Sequence, residues 1–196
     1  MQKNIKLIFH NLGLRSYIEV DLCSQCPRQD DKGCCGFYSP VFYASDFAYL
    51  LKNKPDLIDY IFTIDNITIL DASVTINNSI DGDSYRCHFH RKNGGCLLDQ
   101  IMRESVCRHF VCPGIAWEQE EKLRHWKDFF NRLSDYEIEL NNHIAAILLN
   151  KGLNLKEEKK REQFFNQLPA IFKQETTTVP EVVSQLPSRE EAVIFR

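Results

Sequence analysis

No run of apolar residues in this 196-residue chain approaches the roughly 20 that a helix needs to cross a bilayer. The apolar stretch Leu7-Ile8-Phe9 is interrupted by His10, Asn11, Arg15 and Glu19 before a secretion-type core can form. An excess of one charge is missing as well. The 24 Lys and Arg stand against 27 Asp and Glu, a net charge of −3, which gives no global attraction to nucleic acid or anionic lipid. The chain carries no Gly-rich phosphate loop, no His-Glu-x-x-His pair, no Gly-x-Ser-x-Gly elbow, no internal repeat and no low-complexity tract. These absences predict a soluble cytoplasmic chain with neither a nucleic-acid nor a membrane partner, in which any catalysis rests on a bound metal.

What the chain does have is thiols. Eight cysteines fall in two tight groups, Cys23, Cys26, Cys34 and Cys35, then Cys87, Cys96, Cys107 and Cys112, separated by the cysteine-free residues 36–86. Clustered thiolates repel one another unless something positive or oxidising joins them, so the pattern predicts a metal, an iron–sulfur centre or disulfides. A reducing cytoplasm favours metal over disulfides. Cys23-x-x-Cys26 is a two-ligand loop, followed by Pro27 and Asp30-Asp31 rather than by the helix of a thioredoxin-type pair. The adjacent Cys34 and Cys35 point apart, which fits two four-ligand centres or one multinuclear cluster better than a single small ion.

Eight thiolates around two zinc ions would leave a formal charge of about −4, and Arg103 and Arg108, beside Cys107, are the candidates to balance it. His88, His90 and His109 are alternative nitrogen ligands, with His88-Phe89-His90 read as a strand that points both rings to one side. All-thiolate sites suit zinc and iron–sulfur alike.

The expected fold class is α+β: a metal-binding half of cysteine-rich loops and short strands, followed by a helical C-terminal half. At 43% hydrophobic residues a single domain over 1–173 can bury a core, with the cysteine cluster in 21–114 and the helical part in 117–173. Strands are expected through Ile5–Phe9 and Val41–Tyr43, helices from Ser45 as N-cap and from Pro55, short strands within 61–76 and a turn at Asp81-Gly82-Asp83. Leu123, Trp126, Phe129, Phe130 and Leu133 share one helical face. Ser134 with Glu137 reads as a capping box opening a new helix to Asn150, Leu155–Leu168 as a third helix and 174–196 as a flexible tail.

The string Cys23-x2-Cys26-x7-Cys34-Cys35-Gly36, then Cys87, Gly95-Cys96 and Arg103-x3-Cys107-Arg108-x-Phe110-x-Cys112, resembles the YkgJ-like cysteine-cluster family, described as a zinc- or iron-chelating domain. The resemblance spans about residues 21 to 114 and implies that all eight cysteines serve the metal site. It departs from the family's pattern at Glu104, where proline is common, and at Leu97-Leu98. A related cysteine-cluster group includes flagellin lysine N-methylase, but no recognisable S-adenosylmethionine site accompanies the cysteines here. The reading is a metal-binding protein with an eight-cysteine zinc or iron–sulfur centre. Its alternatives are an iron–sulfur-dependent enzyme of redox or methyl transfer and a protein that stores or delivers metal, with a protein partner left open.

Overall fold

In Ile5–His10 (β1) the inward residues Leu7 and Phe9 alternate with more exposed neighbours, and the strand pairs antiparallel with Tyr17–Val20 (β2), Leu7 opposite Val20 and Phe9 opposite Ile18. The computed structural model to which these strands belong describes residues 5–23, 34–112, 115–181, 183 and 190–195, Cys34 and 190–195 as backbone. On its other edge β1 pairs antiparallel with Glu190–Phe195, the last strand, giving a sheet of order β2-β1-β8. The segment read as a flexible tail therefore carries structure: Val183 is buried and residues 190–195 close the sheet. Three apolar residues at the chain's end show no periodicity, and only a partner strand from the opposite end of the sequence gives them a place.

The first cysteine group ends in a short helix, Cys34–Phe37 (α1), which leads to the strand Val41–Phe42 (β3) and the helix Ala44–Asn53 (α2). Tyr43, not Ser45, is the N-cap of α2. The Asp46 carboxylate three residues on accepts from the Tyr43 N–H at 3.0 Å, and Ser45 lies in the first turn with its N–H donating to Asn141 Oδ1 at 2.9 Å. Pro55 opens Pro55–Phe62 (α3), as its fixed φ favours. The helix takes in Ile61, expected at the start of the strand region, because Leu57, Ile58 and Ile61 form its buried face. Strands Ile67–Ile69 (β4) and Val74–Ile76 (β5) complete a second sheet of order β3-β5-β4. The turn at Asp81-Gly82-Asp83 is the tip of a hairpin between Ser79–Asp81 (β6) and Ser84–Arg86 (β7), with Gly82 at a φ of +64 that other residues rarely adopt.

After the short helix Ser105–His109 (α4), the C-terminal half is built on Arg124–Asn150 (α5) and Glu158–Glu175 (α6). The helix expected to start at Ser134 is not separate: α5 runs unbroken for 27 residues, about 40 Å at 1.5 Å per residue. Ser134 and Glu137 resemble a capping box only in sequence. The buried stripe continues from Leu133 through Glu137, Leu140, Ile144 and Leu148 without losing its period.

This length lets α5 serve two cores. Its first half places Trp126, Phe129, Phe130 and Leu133 against Leu7, Phe9, Ile18 and Trp117. Its second half places Leu140, Ile144 and Leu148 against α2, α3, the second sheet and the buried Phe164, Leu168 and Ile171 of α6. Among the described residues no helix is long and apolar enough to cross a membrane. Trp126 is fully buried, its ring centroid 5.2 Å from Phe9, 5.7 Å from Phe129 and 6.0 Å from Phe130. Trp126→Ala is expected to cost about 3–5 kcal/mol, read as a lowered urea midpoint at unchanged slope.

Candidate metal centre

The side chains of six cysteines are described, and all six line one cavity of about 50 Å³: Cys23, Cys35, Cys87, Cys96, Cys107 and Cys112. Tyr38, Pro40, Phe42, Phe89, Leu98 and Phe110 form its apolar walls, and Arg103 and Glu104 its polar ones. Cys26 lies outside the described residues, and of Cys34 only the backbone position in α1 is given.

Local backbone chemistry explains how distant cysteines meet. The Cys87 N–H donates to the Cys35 carbonyl at 2.6 Å, joining the two groups directly. A tight loop then turns the chain back: Arg91 N–H donates to Gly95 O at 2.9 Å, Leu97 N–H to Phe89 O at 2.7 Å, and His90 bridges Cys96. Gly95, at φ +77, makes this reversal possible. The Leu98 N–H points at Cys96 Sγ, 3.4 Å away, the kind of amide contact that supports a thiolate. Glu104 caps α4, accepting from the Val106 N–H at 2.9 Å and the Cys107 N–H at 2.7 Å, which fixes Cys107 in the first turn.

One thiol and one carboxyl of the cavity wall are shifted by their surroundings. A hydrogen bond from Cys23 pulls the Cys112 thiol down to about 7 against the opposing effect of burial. Burial pushes the Glu104 carboxyl up to about 7, with its contacts to Cys107 pulling the other way. Among the described residues none of these cysteines is in a disulfide, and no three or more His, Cys, Asp or Glu side chains converge on a point that would hold an ion.

The two candidate arginines part company. Arg103 lines the cavity and donates through Nε to the Leu98 carbonyl at 3.1 Å. Arg108 does not line it. Its fully buried guanidinium donates to Glu137 Oε1 at 2.5 Å, to the Ser16 carbonyl at 2.8 Å and to the Arg103 carbonyl at 3.2 Å. Its charge is matched by Glu137, whose carboxyl also accepts from the Ser105 hydroxyl.

None of the three histidines reaches the cavity. Residues 87–90 form a turn, not the expected strand, because the backbone there is bent back toward Cys96. His88 is exposed with Nε2 2.7 Å from the Tyr60 hydroxyl. His90 is buried at its bridge to Cys96. His109 packs on Phe130 with Nδ1 3.1 Å from Ser134 Oγ, and burial, then the charges of Arg108 and Arg15, hold it neutral well below the usual imidazole range.

Sequence reasoning missed a second arginine clamp. Arg15 bonds Asp46 at 2.7 Å and grips the carbonyls of Ile101 and Arg103, the latter at 2.7 Å. Burial, then the nearby Arg108 charge, lower its pKa, and Asp46 opposes them. It also missed an open groove of about 1000 Å³ beside the cavity, which shares with it Tyr38, Glu104, Phe110 and Cys112. The one available signal was Glu137, a charge standing in the apolar stripe of α5 between Leu133 and Leu140.

Comparison of the sequence with models of known families, with curated proteins and with solved structures gives no match. The buried ion pair is directly testable. Glu137→Leu leaves Arg108 charged and buried and is expected to cost about 3–5 kcal/mol in chemical denaturation, while Arg108→Met with Glu137→Leu recovers more than half of it. No recovery in the double variant would show that Arg108 is not what Glu137 compensates.

Proposed function

We propose that this protein binds metal through an eight-cysteine centre, zinc or iron–sulfur, in the cytoplasm. The observation that carries the reading is the convergence of six cysteines from both groups on one cavity. Cys26 and Cys34 are assigned as the remaining ligands from their spacing and from the resemblance to the YkgJ-like family.

The chemistry of the donors supports such a centre, and metal binding would draw the thiols in from the cavity wall, where no three of the described ones yet converge on one point. Soft sulfur donors in this number favour zinc or iron–sulfur over hard cations. About 50 Å³ exceeds the roughly 10–15 Å³ needed to hold one water, so there is room for ions or inorganic sulfide but not for a flavin or nucleotide. The Leu98 N–H aimed at Cys96 Sγ supplies a thiolate hydrogen bond, and Arg103 supplies positive charge at the wall. Arg108 holds Arg103 and α4 in place through its own hydrogen bonds and the Glu137 pair. The cavity walls Phe42 and Phe89 are buried and would shield a bound centre from water on the side of the larger core.

Metal and acid-labile sulfide analysis of anaerobically purified protein tests the reading. Zinc without colour is expected for four-thiolate structural or metal-handling sites; iron with sulfide and visible absorption is expected for a redox-capable cluster. Cys35→Ser is expected to lose at least about half of the metal, as loss of a ligand from a shared or paired centre requires. His88→Ala, altering an exposed ring outside the cavity, is expected to keep all of it. Protein that carries no metal even after anaerobic reconstitution, or full metal content in Cys35→Ser, would sink the proposal.

A further inference from the structure

The groove beside the cysteine cavity has no role in simply holding a metal, and its position gives it one. Of the six cysteines around the cavity, Cys112 alone also lines the groove. Cys87 is buried, and Phe42 and Phe89 close the cavity on the side of the larger core. The groove is open and about twenty times larger than the cavity, within the range that small-molecule sites occupy. Its rim carries two apolar side chains that face water, Val106 at 44% and Ile138 at 61% exposure. Its open-face charges balance, Glu118 against Lys127, and Glu137 is matched by Arg108.

We propose that this groove is the port by which a small external ligand reaches the centre, and that Cys112 is the protein ligand it displaces. The inference rests on the metal-binding reading above. The ligand class is a neutral, partly apolar molecule with a thiol or aromatic-nitrogen donor, because apolar rim residues favour its body and the balanced charges of the open face attract neither anion nor cation. With the centre loaded, the incoming donor atom would take the position held by Cys112 Sγ. An incoming thiol would give up a proton and the released Cys112 thiolate would take one up, whereas an aromatic nitrogen would need only the proton from solvent, and no electrons would change hands.

Transfer of metal from the protein as purified to a small planar chelator, a pyridylazo dye for zinc or a phenanthroline for iron, reads the port as a rate. Ile138→Trp and, separately, Asn142→Trp fill the groove from its exposed side. Each is expected to slow transfer about fivefold, equivalent to about 1 kcal/mol of barrier, at unchanged metal content. Ile80→Trp, on the exposed hairpin β6-β7, is expected to leave the rate alone.

Brief exposure of the loaded protein to neutral iodoacetamide, followed by peptide mapping, is expected to label Cys112 ahead of Cys23, Cys35, Cys87, Cys96 and Cys107. Wild-type transfer rates in both groove variants, equal slowing in Ile80→Trp, or another of those cysteines labelled first would overturn the port while leaving metal binding intact. Protein that holds no metal would remove the port together with the reading beneath it.

Discussion

The buried Arg108–Glu137 ion pair is the joint on which the cysteine region hangs. Arg108 follows Cys107 directly, and its guanidinium reaches the β1–β2 turn through Ser16, α5 through Glu137 and its own chain through Arg103. Arg15 repeats the arrangement from the other side, tying α2 through Asp46 to the carbonyls of Ile101 and Arg103. The helix that carries Cys107, α4, is only five residues long, so these charge-assisted hydrogen bonds fix where Cys107 stands. A buried pair of this kind adds little net stability over an apolar substitute but is costly to break from one side. Its use here is positional: it gives a short helix one location between two cores.

That location follows from the length of α5. Trp126 to Leu133 belong to one core and Leu140 to Leu148 to the other, and Glu137 sits on the same stripe at the boundary. The cysteine cavity straddles the same boundary: Cys87, Cys35 and Cys96 belong to or pack against the core of α2, α3 and α6, while Cys23 packs against the core of β1 and β2. A centre bound there would staple the two cores, so its loss would be felt as loss of folding cooperativity as well as loss of metal.

The parts that the sequence made legible were those with a local signal. The helical half announced itself through the spacing of Trp126, Phe129, Phe130 and Leu133, all buried, α3 through Pro55, and β1 through its apolar run Leu7-Ile8-Phe9. The convergence of the two cysteine groups was legible only as a chemical argument about thiolates, and the contact that joins them, Cys87 N–H to Cys35 O, is between backbone atoms that carry no sequence signature. The errors arose where a local pattern met a tertiary demand. Ser134 and Glu137 have the spacing of a cap, but Ser134 faces His109 and Glu137 faces Arg108, so the helix continues through them. Arg108, read as a counter-charge to the cysteines, had a closer carboxylate that adjacency in sequence could not reveal. Residues 190–195 needed a strand edge from the far end of the chain.

Glu104 shows one of two ways in which the start of a short helix can be ordered. Proline at this position would restrict the backbone just ahead of a helix and lend rigidity to its start. Glutamate reaches the end by a different route, accepting from the N–H groups of Val106 and Cys107 and so ordering the first turn of α4 through its side chain. The glutamate also does something that a proline there would not. A carboxyl buried in the wall shared by cavity and groove, pushed up by desolvation to about 7, is there in neutral or charged form depending on what fills the space beside it. A cation in the cavity would favour the carboxylate, and the carboxylate would in turn strengthen the cap that holds Cys107. One side chain thus serves both as the cap of α4 and as part of the wall between cavity and groove.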